Sequence, residues 1–274
     1  MVNSVLLYLD EPTRSEQVIE LGVDVARRQA ARVRGVTLVD TRRIESLSSS
    51  CEAAVYAVME QTRLNVAERA RRTVRADLSR ACLEAGLNFD VRQLSGDPLE
   101  LLPRESQFHD LAIAAHPRTA GSKDDDQLSA GQLVELVLRG VEPLLVVRQP
   151  PRTVQRVLMV HHGVPSSARA IKSFLAQNLF PQAEHRLMAV GSSEQQARQH
   201  LREMADYCLP RRRELELGCL CGSLRRVLLP YAQKWQADLL VLGIARTNRM
   251  LARLMGNVAR DVLTQTSSAI YTCG

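Results

Sequence analysis

A loop rich in glycine and arginine follows a short apolar run in the second half of the chain. Its glycines and arginines are Gly243, Arg246, Arg249, Arg253, Gly256 and Arg260. Glycines let a backbone turn and approach a polyphosphate, and a helix that opens at Gly256-Asn257 points unpaired N–H groups at that anion. The loop therefore predicts an anion site that is built largely from backbone.

Arg246 allows two interpretations of that site. Its side chain could fill the space of a phosphate, or its planar fork could grip a smaller anion. A third interpretation is that the two glycines only shape a loop and that the arginines are solvated. The residues alone leave these alternatives open.

Two adjacent histidines end an earlier apolar run, Arg156-Val-Leu-Met-Val-His161-His162. Neighbouring residues on a strand point to opposite faces, so we expect one histidine to face the core and the other to face a cleft. A single cleft histidine is more often a hydrogen-bonding residue than a metal ligand. We therefore predict no metal site here.

The corresponding loop of the first half is poorer in glycine. It begins Ala115-His116-Pro117-Arg118 and reaches Gly131-Gln132 at the next helix. Pro117 stiffens the turn, and the three aspartates at 124–126 would repel a polyphosphate. We predict that this half has lost nucleotide binding and that the aspartates form a solvated loop tip.

These candidate residues lie on two copies of one unit. Gly96-Asp-Pro-Leu-Glu-Leu-Leu-Pro103 and an apolar run after Asp110 recur as Gly222-Ser-Leu-Arg-Arg-Val-Leu-Leu-Pro230 and a run after Asp238. Near-continuous apolar strands that alternate with helical patterns predict a parallel α/β sandwich in each unit. The predicted strands are about Val5–Leu9, Arg34–Val39, Phe89–Leu94, Leu111–Ala115, Leu144–Val147, Val157–His161, Arg186–Val190, Glu214–Leu220, Leu239–Leu242 and Ala269–Thr272.

Ligands of such sheets bind outside the carboxyl ends of the strands. The candidate nucleotide or anion site of the second unit comprises His162, Val190, Gly243, Arg246, Gly256, Asn257 and Val258. Weaker candidates in the first unit are Asp10, Gly131 and Gln132. The first unit also has a long helix, at 52–85, that Gly86 ends; it either caps the cleft or serves as a docking face.

The chain of 274 residues is long enough for two such units, and its net charge of +6 is unevenly distributed. Residues 1–150 carry 19 basic against 22 acidic side chains, and residues 151–274 carry 17 against 8. Almost all the basic residues are arginine, which favours phosphate or carboxylate partners, although a solvated surface explains them as well. Because aromatic residues make up only 4%, nucleic-acid binding is an unlikely role.

The six cysteines are scattered without metal-ligand spacing, so we expect free buried thiols and no metal centre. Cys219 and Cys221 are expected on the core face of a strand. Neither an apolar span nor a basic N-terminal leader is apparent, which predicts a cytoplasmic protein without membrane contact.

With Gly243 and Gly256 in register, the loop resembles the G-x2-G-x9-G-[ST] motif of the universal stress protein family. Arg246 stands for the middle glycine and Asn257 for the Ser/Thr. The resemblance covers both units. It implies two tandem five-stranded α/β sandwiches of the Rossmann-like, adenine nucleotide alpha hydrolase-like class, with domains at 1–149 and 152–274. In nucleotide-binding relatives an Asp at the end of the first strand contacts the adenosine; here Asp10 and His162 hold that position.

The resemblance implies a non-enzymatic regulatory protein of the stress response whose second domain binds ATP, another adenine nucleotide or a small anion. The alternatives are an ATP-binding hydrolase with weak ATPase activity, an interaction scaffold without nucleotide and a nucleic-acid binder. The family also implies pairing of the units through Leu144–Val147 and Ala269–Thr272. A homodimer and an unidentified protein partner are compatible with this organisation.

Overall fold

The computed structural model describes residues 1–39, 53–117, 128–141, 143–148, 154–211, 214–244 and 258–274, without the side chains at 53–60 and 63–64. Within these residues ten strands form one sheet in the order β3-β2-β1-β4-β5-β10-β9-β6-β7-β8. The fold is the predicted α/β class with a mostly parallel sheet. The predicted domain boundary at Pro150-Pro151 lies outside the described residues.

All predicted strands are confirmed, with ends that differ by at most two residues. The strands of the first half are β1 (Ser4–Leu9), β2 (Arg32–Val39), β3 (Phe89–Ser95), β4 (Leu111–Ala115) and β5 (Leu144–Val147). Those of the second half are β6 (Arg156–His161), β7 (Glu184–Gly191), β8 (Leu215–Cys221), β9 (Leu239–Gly243) and β10 (Ala269–Cys273).

Helices cover both faces of the sheet. They are α1 (Pro12–Gln29), α2 (Ala53–Glu84), α3 (Pro98–Ser106), α4 (Ala130–Leu138), α5 (Pro165–Gln177), α6 (Glu194–Cys208), α7 (Leu224–Trp235) and α8 (258–265). Proline at the start of α1, α3 and α5 suits a first turn whose N–H groups have no helical partner. The long helix α2 is confirmed, and Gly86 follows it at φ +66°, as a helix terminator requires.

The strands divide their side chains between two apolar layers. Along β1, Val5, Leu7 and Leu9 join the layer covered by α1, α2, α5 and α6, while Leu6 and Tyr8 join the layer covered by α3, α4, α7 and α8. Because both of their faces are buried, the central strands β1, β4, β5 and β9 are apolar at nearly every position.

The two halves meet through the predicted strands. β5 and β10 pair antiparallel with Tyr271 opposite Leu145, whereas all other neighbouring pairs of described strands are parallel. The buried Tyr271 hydroxyl hydrogen-bonds Ser173 at 2.8 Å and donates to Gln177 Oε1 at 3.1 Å, and Gln177 donates to the Asp110 carbonyl at 2.7 Å. These contacts extend the pairing beyond the strands.

Repeated sequence elements perform the same structural task in both halves. Asp110 Oδ2 accepts from the backbone N–H groups of Asn3 and Ser4 at 2.7 and 3.1 Å. Asp238 Oδ2 accepts from those of Gln155 and Arg156 at 3.0 and 2.9 Å. Each aspartate therefore anchors the start of its first strand, far from the carboxyl ends where a ligand would lie.

The cysteines within the described residues are free thiols. Cys82, Cys208 and Cys273 are buried as expected, and burial raises the pKa of the Cys82 thiol to about 11. The prediction that both Cys219 and Cys221 face the core was wrong: β8 is an edge strand, Cys219 is half-buried and Cys221 is exposed. Cys51 lies outside the described residues.

Among the described helices, none is both long enough and apolar enough to cross a membrane.

Candidate functional site

The carboxyl ends of β6, β7 and β9 meet the N-terminus of α5 in the second half. Gly243 ends β9 so close to α5 that a Cβ there would lie 2.3 Å from the Ser166 carbonyl oxygen and 2.3 Å from the Ser167 nitrogen. A Cβ on Gly191 would lie 2.4 Å from the backbone nitrogen of Ala197. Glycine at these positions lets strand ends and helix starts form a narrow cleft floor.

A histidine cluster lies beside this floor. Ser167 Oγ donates its hydrogen to the Val164 carbonyl at 2.7 Å. It therefore accepts the hydrogen bond that His161 Nδ1–H donates at 2.9 Å. His200, from α6, packs edge-on against His161 with ring centroids 5.8 Å apart. Its Nδ1 donates to the carbonyl of Val190 at 3.0 Å, which holds β7, α6 and β6 together at their cleft ends.

Burial sets the protonation state of this cluster. Desolvation, with smaller contributions from His161 and His200, lowers the pKa of His162 to about 4. Desolvation also lowers the pKa of His161, where His200 adds to the shift and Glu203 opposes it. Near neutral pH, both residues are therefore uncharged hydrogen-bonding groups.

Two buried polar atoms in this region have no hydrogen-bond partner among the described residues. They are Nδ1 of His162 and Oγ of Ser166, whose residue is 5% exposed. Ser166 lies in the first turn of α5, and the N-cap residue Val164 has no side-chain hydrogen bond to the helix start. Buried polar groups without partners cost free energy, so this place favours a ligand that supplies the missing hydrogen bonds.

In the first half the equivalent place is occupied by the protein itself. Asp10 forms a buried ion pair with Arg14 at 2.7 Å and accepts from the Glu11 N–H at 2.8 Å. Burial raises the pKa of the Asp10 carboxyl, and Arg14 opposes the shift. Arg14 also donates to the carbonyl of His116 at 2.9 Å, so its guanidinium bridges the ends of β1 and β4.

The other weak candidates of the first half serve to start α4. Ser129 and Gln132 form a capping box, in which Gln132 N donates to Ser129 Oγ at 3.2 Å and Ser129 N donates to Gln132 Oε1 at 2.9 Å. Gly131 lies in the first turn of the same helix. The buried His116 hydrogen-bonds the Pro117 carbonyl at 2.8 Å, and burial lowers its pKa to about 4.

The structure brings only part of the predicted second-half site together. His162, Val190 and Gly243 lie at neighbouring strand ends, and Val258 begins the described part of α8 against the core. Arg246, Gly256 and Asn257 lie outside the described residues, as do the aspartates at 124–126. Arg225, near the predicted cleft, pairs with Asp261 at 2.8 Å.

Sequence reasoning missed three residues that shape these sites. Arg14 follows Asp10 by four positions, a spacing that is typical of helical ion pairs and could have revealed the contact. His200 and Ser166 carry no such signal, because only the packing of α6 and α5 brings them to the strand ends.

Within the described residues, no group of three or more His, Cys, Asp or Glu side chains could hold a metal ion.

Comparisons with known proteins agree with this architecture. Residues 173–270 match the model of the Universal stress protein family. The resemblance to that family is thereby confirmed, and it rests on the sequence of the second half. No curated protein sequence matches the chain.

Three solved structures share the fold over 99% of this chain. A universal stress protein from Archaeoglobus fulgidus DSM 4304 is 15% identical with 96% of its chain covered and a TM-score of 0.70. A second protein assigned to that family, from Pseudomonas aeruginosa UCBPP-PA14, is 15% identical with 93% covered and a TM-score of 0.66. The cytoplasmic domain of a prokaryotic cation chloride cotransporter is 12% identical with 95% covered and a TM-score of 0.57. At these identities the likeness shows the fold, and it extends the two-unit arrangement to the full chain.

Proposed function

We propose that the chain is a non-enzymatic regulatory protein of the stress response whose second half binds an adenine nucleotide or another small anion. The ligand would lie at the carboxyl ends of β6, β7 and β9 against the start of α5. The observation that carries this proposal is the pair of buried, unpartnered polar atoms, His162 Nδ1 and Ser166 Oγ, beside a helix start without a side-chain cap.

The chemistry of the cleft suits binding better than catalysis. His162 is uncharged near neutral pH, so it recognises a ligand by hydrogen bonding and does not neutralise a phosphate. Positive potential comes from the N-terminal end of α5. The sequence after β9 also carries Arg246, Arg249, Arg253 and Arg260. The described cleft offers no carboxylate pair for metal-assisted hydrolysis, so we expect no turnover of a bound nucleotide.

The first half is proposed to bind no such ligand. Arg14 spans the ends of β1 and β4, and Asp10, which would contact the adenosine in nucleotide-binding relatives, is paired with it. We expect one ligand per chain for this reason.

A calorimetric titration with ATP, ADP and AMP, with and without Mg²⁺, tests the proposal directly. We expect saturable binding at a stoichiometry of one and no release of phosphate. The Arg246→Gly variant decides the role of that side chain. Weaker binding means that Arg246 grips the anion, and stronger binding means that it obstructs the site. If neither protein binds any of the three nucleotides, the nucleotide proposal is wrong and a scaffold function replaces it.

Ser166→Ala separates ligand binding from folding. Ser166 Oγ makes no hydrogen bond to any described residue, so its removal is expected to raise the unfolding temperature of the ligand-free protein, by about 2–4 °C for each kcal/mol gained. The same change is expected to weaken nucleotide binding by about tenfold, the loss of one hydrogen bond to a charged group.

Ser15→Ala is the matched control for this variant. Ser15 Oγ is likewise buried without a partner, in α1 of the first half. This variant is expected to gain stability in the same way and to keep full nucleotide affinity. Equal affinity in the two variants would show that the ligand does not contact Ser166.

A further inference from the structure

An open groove runs between α1 and α2 on the surface of the first half. Its volume is about 950 Å³. The residues that matter for its chemistry are Glu16, Ile19, Glu20, Val23, Ala81 and Glu84. Ile19, Val23 and Ala81 form an apolar floor between the two helices. Because these side chains are short or branched, the groove has room for side chains of a partner.

The rim of this groove carries uncompensated negative charge. Asp24 is paired with Arg28 at 2.7 Å and Asp77 with Arg80 at 2.6 Å. By contrast, Glu16, Glu20 and Glu84 are exposed and have no ion pair with any described residue. Glu16 and Glu20 lie one turn apart on α1, so their carboxylates face the same side of the groove.

A basic ridge lies on the matching helix of the second half. The exposed residues of α5 recur at helical spacing as Pro165, Arg169, Lys172 and Ala176, and the helix contains no acidic residue. Lys172 Nζ lies 5.2 Å from the centroid of the Tyr207 ring, and the guanidinium of Arg211 lies 3.8 Å from the same centroid. Arg169 also donates to the carbonyl of Gly274, and Arg211 lies just beyond α6. We call Arg169, Lys172 and Arg211 the α5 ridge.

The groove and the ridge share one face of the molecule. The helices α1, α2, α5 and α6 all pack on the same apolar layer. α1 and α5 are neighbours across the junction, where Gln29 Nε2 donates to the Gln177 carbonyl at 3.2 Å. The acidic and basic surfaces are therefore side by side in a single chain and point in the same direction.

This placement permits a symmetric contact between two chains. When two copies face each other across a twofold axis that lies between them and parallel to the strands, the groove of each copy meets the ridge of the other. Both acid–base contacts then form at once, as in a closed isologous dimer. A partner with a single basic helix would satisfy only one of the two surfaces.

We propose that this face docks a second copy of the chain, with the α1–α2 groove of each copy on the α5 ridge of the other. Ion pairs at an exposed rim are screened by salt, so the dimer should weaken as ionic strength rises. The contact uses the outer face of the helices and not the proposed nucleotide site at the carboxyl ends of the strands, although Arg169 lies one turn beyond Ser166 on α5.

Sedimentation velocity of the full chain at 50 and 500 mM NaCl over a range of concentrations tests the proposal. We expect a dimer at low salt that dissociates at high salt. Two charge-reversal variants then identify the surfaces: Glu16→Lys with Glu20→Lys, and Arg169→Glu with Lys172→Glu. Each variant alone is expected to dimerise at least about tenfold more weakly, because like charges then face each other.

Mixing the two variants gives the decisive result. In the glutamate-to-lysine variant both the groove and the ridge are basic, and in the Arg169→Glu, Lys172→Glu variant both are acidic. An equimolar mixture is therefore expected to form a heterodimer, although each variant alone dimerises weakly. The control is Glu100→Lys with Lys234→Glu, which reverses exposed charges on α3 and α7 at the opposite face of the sheet. This control should dimerise like the unmodified chain.

Three results would overturn the proposal. They are a monomer at every concentration at 50 mM NaCl with unchanged circular dichroism, a dimer that both charge-reversal variants retain, and a dimer that the control abolishes. The last two would place the contact elsewhere, such as at the exposed edge strand β8 or the opposite helical face.

Discussion

The end of β1 and the end of β6 occupy equivalent places in the two halves, yet their polar groups are satisfied differently. At β1, Asp10 is neutralised by Arg14, and Arg14 in turn binds the His116 carbonyl at the end of β4. At β6, His162 Nδ1 and Ser166 Oγ are buried and have no hydrogen-bond partner in the part of the chain that the structure describes. Arg14 bridges the first cleft, although Ser15 Oγ and His116 Nε2 of that half are also buried without partners among the described residues. We propose that the second cleft uses its unpartnered atoms to bind a ligand.

The difference shows which parts of a repeated unit are constrained by folding. Asp110 and Asp238 anchor their first strands in the same way, and Gly96 and Gly222 both adopt positive φ. These positions determine whether the unit folds. Asp10 and His162, which follow β1 and β6, have no such shared task, and we propose that this difference separates a structural half from a binding half.

The largest expected effect comes from breaking the buried ion pair of the first half. Arg14→Met leaves the Asp10 carboxylate buried without its partner, which is expected to cost about 3–5 kcal/mol in urea unfolding at pH 7. The double variant Asp10→Leu with Arg14→Met removes both charges and should recover most of that loss. A loss below about 1 kcal/mol for the single variant would mean that the pair does not close the first cleft.

The pH dependence of stability should contain a large contribution from a buried histidine in each half. His116 and His162 have pKa values of about 4 in the folded protein against an ordinary value of 6.5. The unfolded chain therefore binds more protons between pH 6.5 and 4, so the stabilisation is complete above pH 6.5 and is lost as the pH falls toward 4. Each histidine should account for up to about 3 kcal/mol of that loss.

Single variants separate the two contributions. His116→Gln and His162→Gln should each remove part of the acid loss in unfolding experiments at pH 4.5 and 7.5. A saturating nucleotide should reduce the His162 contribution alone, because an anion beside this ring favours its protonated form. Identical pH profiles for all three proteins would show that neither ring is held uncharged.

A smaller effect tests why the second cleft needs glycine. Gly243 and Ala115 occupy equivalent positions at the ends of β9 and β4. Each lies four residues after a leucine that pairs with the first strand of its half, Leu239 with Val157 and Leu111 with Val5. A Cβ at 243 would collide with the backbone of Ser166, whereas the first half accommodates alanine. Gly243→Ala is expected to cost about 1–3 kcal/mol and to weaken nucleotide binding.

The converse substitution is the control for that comparison. Ala115→Gly should cost no more than about 1 kcal/mol, through backbone entropy alone. If Gly243→Ala proves as mild as this control, the close approach of β9 to α5 is not required for the cleft.

Much of the fold was predictable from the sequence. The apolar runs located all ten strands that the structure describes, and the family resemblance predicted that the halves pair through β5 and β10. The prediction that Cys221 faces the core was wrong, because alternation along a strand does not reveal that the strand lies at the edge of the sheet. The candidate site was only partly predictable: glycines and strand-end histidines are visible in sequence, whereas the contacts of His200 and Ser166 depend on how α6 and α5 pack.

The sequence by itself determined the class of the fold, the duplication and the positions of the strand ends, because these follow from apolar periodicity and from residues that terminate helices and strands. Tertiary structure decided which strand end is closed and which is open. That outcome depends on contacts between residues distant in the chain, Arg14 with the His116 carbonyl and Gly243 with the Ser166 backbone, and no local pattern encodes such distances.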